Sequence, residues 1–125
     1  MLQRYESATL STQAQSRLLE YFRGREQLFS RVVQLFAQDY PVKLQRMRAA
    51  LCRHDGPAAA EDAHQLAGEL RTFMAEPPLL LVKEIQAAGL QNACESALPL
   101  CDRLETMLSD LAQTLACMIR SGGKR

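Results

Sequence analysis

Seven apolar residues, Ala97, Cys101, Leu104, Leu108, Leu111, Leu115 and Met118, follow one another in steps of four and three. That spacing lines one face of a 3.6-residue helix in a heptad-like stripe, and a strand cannot present it on one side. A helix this long and this one-sided must bury its stripe against other helices, which constrains the chain to a bundle. Asn92 and Glu95 fit a capping box at its start, and Pro99 is expected to bend the first turns.

The segments before it carry the same kind of pattern. A helix is predicted over Ser11 to Phe22, with Ala14, Leu18, Tyr21 and Phe22 on one face and Gly24 ending it. Phe29, Val32, Phe36, Tyr40, Leu44, Met47 and Leu51 hold one register across Pro41, where the lost hydrogen bond should kink the helix or divide it in two. Asp55-Gly56-Pro57 reads as a turn with proline at the first position of a third helix, whose stripe Ala59, Ala63, Leu66, Leu70 and Phe73 runs on to Met74. Glu76-Pro77-Pro78 then separates this helix from one reading Leu79 to Ala88 and stopping at Gly89, with Leu81, Ile85 and Ala88 as core positions. The run Leu79-Leu80-Leu81-Val82 covers more than a full turn, so part of it must lie outside the core. It serves either as a docking surface or to fill a groove against the first helix. On this helix Leu79, Val82, Lys83, Gln86 and Leu90 share a flank, and Gln86 is placed to reach the neighbouring antiparallel helix.

Short connections favour antiparallel neighbours, so the expected fold is all-α, an up-and-down antiparallel four-helix bundle with an additional N-terminal helix. Residues 1–10 are read as an N-terminal segment open to disorder, 11–120 as the bundle and 121–125 as a flexible tail. At 125 residues with 47% hydrophobic content the chain suits one domain around one core. A formal net charge of +1 implies neither nucleic acid nor an anionic membrane as partner. No 18-residue apolar run occurs, and Met1-Leu2-Gln3-Arg4-Tyr5-Glu6 lacks the apolar centre of a signal peptide, so a soluble cytoplasmic protein is expected. Cys52, Cys94, Cys101 and Cys117 show no CxxC pairing and read as small hydrophobic residues on helix faces. Cys52-Arg53-His54 offers two zinc ligands with no matching pair elsewhere, so no metal site is expected.

One imidazole has a prepared setting. Advancing ~100° per residue from Ala63, the third helix's stripe centres near −40° and His64 lies near +100°, about 140° from the buried direction. Ala60, Ala67 and Gly68 fall within about 40° of His64, and Arg71 lies two turns along at roughly +80°. Glycine inside a helix costs ~1 kcal/mol against alanine, so Gly68 makes local sense where a second macromolecule must approach the backbone. The chain has no Gly-rich phosphate loop, HExxH, serine nucleophile elbow or kinase signature, so a self-contained enzyme is not expected.

Ala63-His64-Gln65-Leu66-Ala67-Gly68, preceded by Phe36-x-x-x-x-Pro41-x-x-Leu44 and followed by a helix and a long leucine-striped helix, resembles the histidine-containing phosphotransfer (HPt) domain of multistep two-component relays over roughly Gln27 to Ile119. The resemblance implies that His64 accepts a phosphoryl group from the aspartyl phosphate of one receiver domain and passes it to another. It implies that Gly68 admits the receiver's active-site loop and that Gln86, 22 positions after the histidine, hydrogen-bonds the imidazole. The partners it implies are receiver domains of response regulators or of a hybrid sensor kinase, docking over Ala60, Ala67, Leu79, Val82 and Leu90. No cofactor belongs to the chain itself, and Mg2+ is expected on the receiver.

The family usually has lysine three residues after the histidine, where this chain has Ala67, and Phe73-Met74-Ala75 replaces its small glycine-containing stretch. Either Arg71, a turn beyond Ala67, or Lys83 across the groove is expected to supply the missing cation. An imidazole, with an ordinary pKa of ~6.5, is a competent nucleophile near pH 7. In-line transfer needs positioning and charge neutralisation. The alternative function is an HPt-like interaction module that binds a receiver or sensor kinase without being phosphorylated, which Ala67 favours.

Overall fold

The computed structural model describes residues 7–122. Five helices follow one another: α1 (Thr12–Tyr21), α2 (Glu26–Cys52), α3 (Gly56–Thr72), α4 (Glu76–Leu90) and α5 (Cys94–Gly122). Helices α2 to α5 close a ring in which α2 packs on α3 and α5, and α4 packs on the same two. Every member of the α5 stripe from Ala97 to Met118 is buried, as are all five residues of the α3 stripe. The expected up-and-down bundle is therefore present, with the N-terminal helix added outside the ring.

Three-residue connections join the ring, and each closes the preceding helix in the same way. Arg53-His54-Asp55 follows α2, Phe73-Met74-Ala75 follows α3 and Gln91-Asn92-Ala93 follows α4. His54, Met74 and Asn92 adopt left-handed φ of 60°, 57° and 59°. The residue after each donates its backbone N–H back to the helix, Asp55 to Ala50 O at 2.8 Å, Ala75 to Leu70 O at 3.0 Å and Ala93 to Ala88 O at 2.8 Å. This is the Schellman closure, made here without glycine. Asp55 then caps α3 by accepting from Ala58 N at 3.2 Å.

Several sequence expectations are corrected. Of the two outcomes expected at Pro41, the division does not occur: α2 is one helix from Glu26 to Cys52 with Pro41 inside it. Pro77 and Pro78 lie in the first turn of α4, whose orphan N–H positions tolerate proline, so they begin that helix instead of standing before it. Gly89 does not stop α4, which continues to Leu90; its carbonyl meets Gly56 so closely that a Cβ at Gly56 would stand 2.0 Å from Gly89 O. Asn92 belongs to the closure of α4 and no capping box with Glu95 forms among the described residues. Tyr21 is exposed, edge-on to Phe22 with Arg25 over its face, and Cys52 is exposed while Cys94 and Cys101 are buried.

α2 and α5 are roughly 40 Å long, against about 25 Å for α3 and α4 at 1.5 Å per residue. α1 covers the excess: Leu10, Ala14, Leu18 and Phe22 join the core, and the Phe22 ring lies 4.9 Å from Phe29. Residues 7–10, part of the segment read as open to disorder, pack against α5. Thr9 and Leu10 are buried, and the hydroxyls of Ser7 and Thr9 donate to Asp110 Oδ2 on α5 at 2.7 and 2.6 Å. Of the expected N-terminal segment, 1–6 lies outside the described residues, and of the expected tail, 123–125 does; α5 extends to Gly122. No helix among the described residues is long and apolar enough to cross a membrane.

Candidate functional site

His64 is exposed on α3 because its neighbours Ala63 and Leu66 take the core direction. Around it lies a ridge of exposed residues, Glu61, Gln65, Gly68, Arg71 and Thr72. Gly68 is the open point of this ridge: a Cβ built there meets nothing within 4 Å. The backbone is therefore bare on the outer side one turn beyond the imidazole.

α4 approaches α3 most closely at one end. A Cβ on Gly89 would lie 2.8 Å from Gly56 O and 3.6 Å from Ala60 Cβ, so backbone rests on backbone there. In an antiparallel pair, moving four residues along α3 from Ala60 to His64 matches moving about four back along α4 from Gly89, which brings Ile85 and Gln86 level with His64. Ile85 is buried and Gln86 is half-buried on the shoulder beside α3. No hydrogen bond joins Gln86 to His64 among the described residues. Lys83 lies two to three residues further along α4, level with Leu66 and Ala67, and is exposed.

Part of the docking surface expected from the sequence is not available. Val82 is 0% exposed, Ala67 1% and Ala60 4%: Ala60 lies against Gly89 of α4, and Ala67 and Val82 belong to the core. Leu79 is half-buried against the core, and of the expected apolar docking residues Leu90 alone is strongly exposed, at 67%. The helical wheel sets Ala60 and Ala67 on the His64 side of α3 but does not show that the fold buries that side.

Besides the exposed Leu80 and Leu90 of α4, further accessible apolar surface lies on α2. Leu28, Leu35 and Val42 are each about half exposed, at 47%, 51% and 51%. Their seven-residue spacing makes one stripe along the helix. Leu35 also lines a shallow groove of about 420 Å³ between α2 and α3, with Val32, Phe36, Asp39, Glu69 and Thr72. The spacing was present in the sequence, but these residues fall beside the core register and draw no notice until burial is known.

Electrostatics tie α2 to the outer side of α3. Lys43 Nζ bonds both Asp39 and Glu69, and Arg46 donates to Asp62 Oδ1 at 2.6 Å. The Lys43 hydrogen bond holds the Asp39 carboxyl below its ordinary value, whereas burial pushes Glu69 up. For Lys43 burial works downward, but the bonds to Asp39 and Glu69 outweigh it and hold the ammonium above the usual lysine range. Arg71 and Lys83 make no ion pair among the described residues. None of the described His, Cys, Asp and Glu residues gather in threes able to hold a metal ion.

The site is thus a ring of four antiparallel helices with an exposed histidine on α3 and an open glycine a turn later. Neither the curated proteins nor the solved structures return a match. The family model described as Hpt domain matches residues 31–114, more than half of the 125-residue chain, spanning most of α2, all of α3 and α4, and α5 as far as Thr114. The chain therefore belongs to the Hpt domain family, the helical phosphotransfer modules of two-component systems.

Proposed function

We propose that this protein is a phosphorelay intermediate in which His64 accepts a phosphoryl group from the aspartyl phosphate of a receiver domain and passes it to another receiver. The observation that carries this reading is the exposure of His64 beside the open backbone at Gly68. One ring nitrogen attacks phosphorus; the N–P bond forms as the acyl O–P bond breaks, the electron pair leaves with the receiver's carboxylate, and the imidazole proton stays on the other nitrogen. Gln86, level with the ring, accepts a hydrogen bond through its side-chain oxygen from the N–H of that second nitrogen and fixes the ring's orientation. Mg2+ belongs to the receiver. The receiver docks over the ridge and the apolar stripe Leu28, Leu35 and Val42, a modest area suited to a partner that must leave again.

A second reading, binding without phosphorylation, is favoured by Ala67 where members usually have lysine and by the missing Gln86–His64 bond. Incubation with a phosphorylated receiver separates the two. The carrier reading expects an acid-labile phosphoryl group on the wild type and none on His64→Gln. A complex that forms with no label transferred would establish the second reading instead.

A further inference from the structure

We infer that Arg71 is the cation that holds the phosphoryl group on His64, reaching it over the bare backbone at Gly68. The inference rests on the carrier reading above. A phosphoryl group brings close to two negative charges at neutral pH, and a surface site that stores it gains from a guanidinium or ammonium within reach. Four cations on α2, α3 and α4 are near enough to consider. Lys43 and Arg46 are committed to Asp39, Glu69 and Asp62 on the α2 side of α3. Arg71 and Lys83 are exposed and make no ion pair among the described residues.

Side-chain direction decides between these two. Side chains on a helix lean toward its N-terminus. Arg71 stands two turns beyond His64 on nearly the same azimuth, about 10 Å along the axis, and leans back toward it. α4 runs the other way, so the same lean carries Lys83 away from the level of His64 and Gln86. Between Arg71 and His64 the face holds Gly68, where a Cβ would meet nothing within 4 Å, so the guanidinium can lie flat along the ridge. Its planar fork then meets two phosphoryl oxygens with parallel N–H bonds, a fixed geometry that an ammonium lacks. Gly68 thus has a role within the chain as well as toward the partner.

The test measures how label divides at equilibrium between a receiver domain, phosphorylated with acetyl phosphate, and the wild-type protein, Arg71→Ala, Arg71→Lys or Lys83→Ala, at several salt concentrations. Arg71→Ala should shift the division toward the receiver by about fivefold, the scale of one exposed charge-assisted hydrogen bond, and should weaken its salt dependence. Arg71→Lys should recover part of the shift, and Lys83→Ala should match the wild type. Arg71→Ala equal to wild type, or the loss appearing in Lys83→Ala, overturns the assignment while leaving the carrier reading intact. A wild type that takes no label overturns both.

Discussion

Replacing Gly68 with alanine should make the protein more stable and a poorer phosphorelay partner. Gly68 lies inside α3, exposed, in ordinary helical conformation, and a Cβ there meets nothing within 4 Å. Alanine therefore adds helix propensity of about 0.5–1 kcal/mol with no steric debit. The Thr72 hydroxyl, which donates to Gly68 O at 3.2 Å, keeps its acceptor. For 125 residues the unfolding entropy near 60 °C is about 0.26 kcal/mol/K, so the gain corresponds to roughly 2–4 °C in Tm. Urea denaturation should show a higher midpoint with an unchanged slope, and transfer from a phosphorylated receiver should slow. A lower midpoint would refute the reasoning, because it would mean that the outer side of α3 is not open at this point. Unchanged transfer would refute the need for clearance there.

Gly89→Ala should act in the opposite sense: its Cβ would stand 2.8 Å from the Gly56 carbonyl, so the crossing must spread, at a net loss of roughly 1–2 kcal/mol in urea denaturation. A variant as stable as the wild type would deny the contact. Leu35→Ser and Val42→Ser should weaken receiver binding by several-fold with stability changed by no more than about 0.5 kcal/mol, measured by titration calorimetry beside urea melts; equal affinity would remove α2 from the docking face. Burial holds Glu69 above the ordinary carboxylate value of 4.5, so above that pH the folded protein retains a proton the unfolded chain has lost, and stability falls as pH rises through this window. Asp39, held low, gives the opposite slope below 3.8. Glu69→Gln should abolish the decline above 4.5, read from urea midpoints across pH; persistence of the decline would assign it to another group.

The helices and the buried stripes were readable from spacing because one-sided burial leaves a 3.6-residue signature whatever the neighbour is. Met118 and Ala59 needed no structure to be assigned inward. The errors cluster where one residue type serves two ends. Gly89 reads as a stop because glycine often ends helices, yet here it lets two backbones touch, and the endings fall to His54, Met74 and Asn92, residues that give no such mark. Pro77 and Pro78 read as a break because a wheel does not reveal which turn they occupy. Around His64, azimuth alone places Gly68 and Arg71 as neighbours, but it does not distinguish the buried positions Ala60 and Ala67 from positions left to solvent. The α2 stripe at Leu28, Leu35 and Val42 went unread for the converse reason: its apolar character has meaning only once burial shows that the core does not use it.

The meeting of Gly56 with Gly89 fixes one end of the α3–α4 pair. At the other end the three-residue connection Phe73-Met74-Ala75 ties the same two helices together, with Phe73 and Ala75 buried. Held at both ends, the pair can neither slide nor spread without breaking one of these joints, and His64, about 12 Å along the axis from the glycine crossing, keeps its height against Ile85 and Gln86. The face that bears the imidazole is therefore clamped, and adjustment to an approaching molecule falls to exposed side chains such as Arg71 and not to helix movement.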